Sequence, residues 1–320
     1  MSSEDLEASR RIWTEYWHGG RRSCLTGDAP ASAQTHVESL WRDWFGRLPQ
    51  RARIIDLACG AGEVARLAAL VSEQMGLRFT IDGVDLADCD GASETSSVRL
   101  KGGIDLANLP FADKSFDCAV SQFGIEYADV DAACREIAKV MKPQGSGLFL
   151  VHHRQSAISL AAASRLQAFA DVIADGTVLD SATAVYEAIA ARAGELAIKT
   201  RLAEFRQQLR RAAESHSRSH AGEANIREII GFLADLARNP LAYDPFDAIR
   251  RISTARAMIA AWKARQEAQR NAARDENGIR SLAATLARFG LGCRETAVVN
   301  DPADGSILAW KLELTKTADA

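Results

Sequence analysis

Between residues 51 and 153, short apolar runs take turns with stretches of helical periodicity, and this alternation constrains the fold more than any other feature. The runs are Arg53-Ile54-Ile55-Asp56-Leu57, Arg78 to Val84, Ser97-Val98-Arg99-Leu100, Phe116 to Val120 and Gly147 to Val151. A helical pattern from Gly62 to about Met75 separates the first two. Another, from about Asp129 to Met141, separates the last two and is stopped by Pro143 and Gly145. Strands that alternate with helices pair in parallel through right-handed crossovers. The polar stretch LADCDGASETS after the second run is too short to read as a full crossover helix.

The strand pattern returns late in the chain. A helix from Ile279 to Phe289, closed by Gly290 and Gly292, precedes runs at Glu295 to Val299 and Ile307 to Leu314. Asp304-Gly305 lies between those runs as a hairpin signal. The expected fold is α/β: a doubly wound, seven-stranded, mostly parallel sheet with an antiparallel edge. Three regions differ in texture. Residues 1–50 read as helix, loop, helix, with Trp13, Tyr16 and Trp17 on one face and Trp41, Trp44 and Phe45 on another. Gly19, Gly20, Gly27 and Pro30 punctuate the loop. Residues 51–153 and 277–320 form the sheet domain. Residues 154–276 are a large helical insertion, rich in Ala and Arg, with breaks near Asp175-Gly176, Ala221-Gly222 and Asn239-Pro240. It is expected to cap a substrate or to form a dimer interface.

Composition excludes several functions. A net charge of -3 offers no electrostatic footprint for nucleic acid. The insertion holds 18 Lys/Arg against 15 Asp/Glu, so Arg206, Arg210 and Arg211 read as a solvated helix face. No apolar run approaches the ~18 residues of a membrane span. The charged N-terminus lacks an apolar signal core, so a cytoplasmic location is expected. The six cysteines (24, 59, 89, 118, 134 and 293) form no CxxC pair and read as reduced thiols. His216 and His220 have metal-compatible spacing but no third ligand, and no metal is expected.

The chemistry is carried by Asp56-Leu57-Ala58-Cys59-Gly60-Ala61-Gly62, which follows a strand and opens a helix. Gly60 and Gly62 let the backbone approach a ligand where a β-carbon would intrude. A glycine-rich turn at the carboxyl end of a strand is where open α/β sheets bind ligands. By itself this glycine spacing is weak evidence and would also suit a dinucleotide, since its third slot falls on Ala65. Asp85 ends the second strand, where a carboxylate can accept from both hydroxyls of a ribose.

Further along, Ile104-Asp105-Leu106-Ala107-Asn108-Leu109-Pro110-Phe111 precedes the fourth strand, Ser121-Gln122-Phe123-Gly124 follows it, and Arg135 to Gly145 reads REIAKVMKPQG. Together with the glycine turn and Asp85, these segments resemble class I S-adenosylmethionine-dependent methyltransferases, especially the ubiquinone/menaquinone-type group. Gln144 stands where that family has a glycine. The resemblance covers about residues 50 to 153 and, more loosely, 277 to 315. It implies that Asp56 and the Ala58, Cys59, Gly60 and Gly62 backbone hold the amino-acid end of S-adenosylmethionine. It places the ribose on Asp85, with Leu86 against the adenine. The adenine amino group falls to Asp105, with Leu106 nearby, and the methionine arm to Ser121 and Gln122. The product would be S-adenosylhomocysteine.

Such a cofactor brings its own leaving group, so the protein mainly aligns and, where needed, deprotonates the acceptor. After the fourth strand there is no Asn/Asp-Pro-Pro-Tyr/Phe segment, and the chain has no Pro-Cys pair. Both absences favour a small-molecule acceptor methylated on N, O or C. His152 and His153 end the fifth strand as candidate general bases, and Tyr127 is a candidate to orient the acceptor. Trp13, Tyr16 and Trp17 either close over the cofactor as a lid or dock on the helices of the sheet. Two alternatives stand beside this reading. One is an RNA methyltransferase that uses the Arg-rich helices, and the other is a non-catalytic cofactor-binding scaffold.

Overall fold

The computed structural model describes residues 3–18, 31–89, 97–172, 177–219 and 224–318. Cys24, His220, the glycine- and proline-punctuated loop at 19–30, residues 90–96 of the polar stretch, and the breaks at Asp175-Gly176 and Ala221-Gly222 lie outside the described residues. Contacts divide the chain into two units. Unit 1 is Met1–Ala161 with Ala268–Ala320, and unit 2 is Ala162–Glu267.

Unit 1 is a seven-stranded sheet built from β1 (Arg53–Leu57), β2 (Thr80–Val84), β3 (Val98–Lys101), β4 (Phe116–Gln122), β5 (Met141–His152), β6 (Leu291–Asn300) and β7 (Ile307–Lys316). The strand order is β3-β2-β1-β4-β5-β7-β6. The first five strands run parallel, and β7 pairs antiparallel with both β5 and β6. The order reverses beside β1, between β1 and β4. This is the topological switch point at which open α/β sheets bind ligands.

Period-two alternation fills both faces. Ile54, Cys118, Val120 and Leu148 face a layer that includes α2 (Ala31–Gly46) and α3 (Glu63–Met75). Ile55, Leu57, Ala119 and Phe149 face α4 (Val130–Val140) and α10 (Glu276–Arg288). Because both faces are covered, these strands read as near-continuous apolar runs. Trp41, Trp44 and Phe45 of α2 form one cluster, with Trp41 stacked on Phe45 at 5.5 Å. Burying a side chain of this size contributes about 2–3 kcal/mol and holds α2 to the sheet.

Two helix starts are fixed by carboxylates. Asp129 accepts from the Ala132 N–H at α4, and Asp275 accepts from the Gly278 N–H at α10. The turn signals Pro143 and Gly145 do not precede the fifth strand as expected. They lie inside it, because β5 begins at Met141 and absorbs them in a bulge between Phe116 and Cys118 of its partner. Gln144 adopts a positive φ of 62° there.

Unit 2 is helical. It contains α6 (Thr177–Ala190), α7 (Glu195–Ser219) and α8 (Ala224–Arg238), with most of α5 (Ala157–Val172) and α9 (Pro245–Ala272). Its own core includes Tyr186, Phe205, Ile226, Leu233 and Ile252. The Tyr186 hydroxyl donates to the Leu236 carbonyl at 3.0 Å, which satisfies its one buried polar atom. Among the described residues no helix is long and apolar enough to cross a membrane.

Candidate cofactor and acceptor site

At the carboxyl ends of β1 and β4 the chain turns through left-handed backbone. Ala58 has φ 53°, Gly60 52°, Gly62 79° and Phe123 55°. Two non-glycine residues in that region, Ala58 and Phe123, mark a locally strained corner, a feature that clusters at ligand sites. The corner is tightly packed: a β-carbon on Gly124 would lie 2.5 Å from the Ala58 Cβ. Gly60 is pinned from below, since its N–H donates to Asp85 Oδ2 at 2.7 Å. Asp85 Oδ1 accepts from the Ala87 N–H at 2.8 Å. Burial pushes the Asp85 carboxyl up to about 6, against the pull of these two N–H groups.

A cavity opens on this corner and encloses about 940 Å³, counting the solvent at its mouth. Its floor and walls carry Ala58, Asp85, Leu86, Asp105, Leu106 and Tyr127. The sequence assigned the first five of these to the cofactor and Tyr127 to the acceptor. Ile104, Phe123, Gly124 and Asp129 line it as well, and sequence reasoning missed them. The roof is α1 (Ser3–His18), through Leu6, Ser9, Trp13 and Trp17. Trp13 meets Tyr127 edge-on at 5.2 Å. A Gly60 β-carbon would lie 2.3 Å from the Trp17 ring, so the indole rests on the glycine itself. Arg10 pairs with Asp88 at 2.7 Å, and the Asp88 N–H donates to the Thr14 hydroxyl, which ties the helix to the end of β2.

Several predicted residues lie elsewhere. Asp56 is 1% exposed, stands outside the lining of this cavity and accepts from the Ala65 N–H at 3.0 Å, bracing the start of α3. Ser121 is buried and ties two turns together: its hydroxyl donates to the Leu57 carbonyl and accepts from the Ile125 N–H. Cys59 is buried, and its backbone N–H donates to the Val84 carbonyl. Gln122 faces a second cavity between α2 and α3. His152 is buried behind Phe123, the rings stacked at 4.4 Å, and burial lowers it to about 3. His153 packs on Trp310 at 4.5 Å, and its Nδ1 accepts from the Gln155 N–H.

Glu126 is a further buried acid that the sequence did not single out. Its Oε1 accepts from the His152 N–H at 2.7 Å, and burial pushes it up to about 7. Only its position in a turn, on an otherwise apolar stretch, could have signalled it.

In unit 2, Arg206 donates twice to the Ala237 carbonyl, so that guanidinium serves the unit's own packing. His216 is buried. Among the described residues no group of three or more His, Cys, Asp or Glu could hold a metal ion.

Residues 55–149 match the family model described as Methyltransferase domain. A demethylmenaquinone methyltransferase of Lactobacillus johnsonii is 34% identical over 115 residues, covering 33% of this chain and 47% of that protein. The demethylmenaquinone methyltransferase of Corynebacterium kroppenstedtii is 36% identical over 117 residues, covering 34% and 47%. The chain therefore spans about half the length of the curated relatives it matches. The solved 1,6-didemethyltoxoflavin-N1-methyltransferase of Burkholderia thailandensis aligns over 99% of this chain and 92% of its own, at 14% identity and a TM-score of 0.48.

By similarity, residues 55–149 and the doubly wound sheet that holds them fall in the methyltransferase class. Within that class, the segment's relatives are of the ubiquinone/menaquinone type. The cofactor of such domains is S-adenosylmethionine, and the residues at this corner are of a kind that fits a nucleoside: a left-handed glycine turn, the Asp85 carboxylate and the side chains of Leu86 and Leu106, with the Trp17 indole over Gly60.

Proposed function

We propose that this protein transfers a methyl group from S-adenosylmethionine to a small, ring-bearing acceptor of the quinone kind. One observation carries the reading. Asp85, Leu86, Asp105 and Leu106 converge on one cavity at the switch point of the sheet, against the Gly60 backbone. A nucleoside needs this combination of polar groups at its edges and apolar faces. The names of the relatives supply the acceptor class. The aromatic edge of the cavity, Trp13 against Tyr127, supports a flat molecule.

When bound, the cofactor supplies an electrophilic methyl on a sulfonium. The chain's residues bind, orient and exclude water. Asp85 accepts from the ribose, and Asp105 accepts from the adenine edge. Tyr127, on the cavity wall, is the residue we assign to contact the acceptor. His152 supports Phe123 from behind and stays neutral across the physiological range. His153, held by Trp310 and Gln155, has no part in this scheme.

Titration calorimetry with S-adenosylhomocysteine tests the proposal. Binding at micromolar levels is expected, and a folded protein that ignores millimolar ligand would refute it. Because Asp85 titrates near 6 in the ligand-free protein, affinity should fall as pH drops from 7 to 5, by at most about tenfold per unit. A flat pH profile would contradict the ribose contact.

A further inference from the structure

Glu126 stands in a short 3₁₀ turn, Ile125–Tyr127, between two residues that line the nucleoside cavity, Gly124 and Tyr127. It is 3% exposed. Three hydrogen bonds close a ring through it. The His152 N–H donates to its Oε1 at 2.7 Å, the Arg274 N–H donates to the His152 carbonyl at 2.8 Å, and the Arg274 guanidinium donates to the Glu126 carbonyl at 3.2 Å. The turn after β4, the end of β5 and the segment entering α10 are thus tied together at one residue. The His152 ring backs the cavity wall: Phe123 stacks on it at 4.4 Å, and Tyr127 meets it edge-on at 5.9 Å. The second carboxyl oxygen of Glu126, Oε2, has no hydrogen-bond partner among the described residues. The titratable or charged groups that face this carboxyl from other elements are His152 on β5 and Arg274 before α10, and Tyr127 follows it on its own turn.

We infer that Glu126 is a positioning residue for the cavity, acting through His152 to hold the wall made by Phe123 and Tyr127. The inference rests on the proposed function above only for the identity of the ligand. A buried oxygen without a donor is tolerable in a neutral carboxyl and costly in a carboxylate. Burial accordingly pushes Glu126 up to about 7. Below that value the ring is closed and the wall is fixed. Above it the proton leaves to solvent, and Oε2 becomes a buried anion with Arg274 as the cation beside it. The guanidinium exchanges the Glu126 carbonyl for the carboxylate, a stronger acceptor. The ring opens, and Phe123 and Tyr127 lose their backing. His152 does not answer the new charge, because burial lowers it to about 3.

Calorimetry on the full chain with S-adenosylhomocysteine, from pH 6.5 to 8.5, tests the role. The intact protein should lose affinity by about threefold to tenfold over that range. Asp56 also titrates there, at about 8, so the comparison with Glu126→Gln decides. Gln keeps an acceptor for the His152 N–H and cannot ionise. That variant should lie within about twofold of the intact protein at pH 6.5 and bind at least about threefold more tightly at pH 8.5. Glu126→Ala leaves the His152 N–H without an acceptor and should bind more weakly at both. A second readout needs no ligand. Trp13 meets Tyr127 edge-on at 5.2 Å, so the tryptophan fluorescence of the ligand-free protein should change in a step centred near pH 7. Trp13→Phe and Glu126→Gln should each remove that step. A Glu126→Gln protein that loses affinity with pH as the intact one does overturns the inference, and so does a fluorescence step that survives the substitution. If S-adenosylhomocysteine fails to bind at any pH while the step is present and is lost in Glu126→Gln, the cofactor reading falls and the positioning role stands.

Discussion

Asp85→Ala should weaken S-adenosylhomocysteine binding by about a hundredfold or more and cost the fold about 2–4 kcal/mol. The two effects have one origin. Asp85 is 7% exposed, and each of its oxygens already serves a backbone donor, Gly60 and Ala87. Truncation leaves two buried N–H groups without acceptors, each worth about 1–3 kcal/mol. The Gly60 turn then loses the anchor that presents it to the ligand, and the ribose loses its charged acceptor. Asp85→Asn keeps one oxygen as an acceptor and should fall between the two. Calorimetry reads the first effect and urea unfolding the second. Unchanged affinity in a folded Asp85→Ala protein would remove the ribose assignment.

The second large effect is expected in the pH dependence of stability. Burial pushes Asp56 up to about 8, against the pull of the Ala65 N–H, while Asp85 and Glu63 add to the rise. Glu126 is likewise pushed up to about 7 by burial. A carboxyl that holds its proton more tightly when folded contributes stability in full below its unfolded value. That contribution is lost as pH climbs through the folded value. His152 acts oppositely, since burial lowers it from 6.5 to about 3, and its cost appears only as pH falls below 6.5. Between pH 6.5 and 8 the acids therefore dominate, with a loss on the order of 2 kcal/mol. The ligand-free protein should melt several degrees lower at pH 8 than at pH 6.5. Asp56→Asn keeps the acceptor for Ala65 and removes the charge. It should flatten that slope and exceed the unmodified protein in melting temperature at pH 8. A variant that melts with the unmodified slope would show that Asp56 is not the group responsible.

Much of the sheet was legible in the sequence because its signals are local. The alternation of Ile54 with Ile55, and of Cys118 with Ala119, is read off neighbouring positions. Asp304-Gly305 marks the β6–β7 turn by itself. The start of β5 was not legible. Pro143 and Gly145 are turn signals by propensity, and only pairing with β4 turns them into a bulge. That Ala58, Asp85, Leu86, Asp105 and Leu106 line one cavity was legible for the same reason as the sheet, since each sits at the carboxyl end of an identifiable strand or in the segment beside β4. The bridge that Gln122 makes between Trp41 and Glu63 was not. Its geometry depends on Trp41 reaching Gln122 across 81 residues of sequence. Asp56 and His152 illustrate a third limit. Their positions in strands were correct, but which way a strand-end side chain turns, and whether a backbone N–H has already claimed it, is decided by packing.

The indole of Trp17 lying on Gly60 has a kinetic consequence. Any molecule that uses the face of that glycine must wait for α1 to yield, so loading proceeds through an opening step of fixed rate. In stopped-flow mixing, the observed rate should level off as S-adenosylhomocysteine is raised. Trp17→Ala should restore a straight line. A straight line in the unmodified protein would mean that the helix is no barrier to entry.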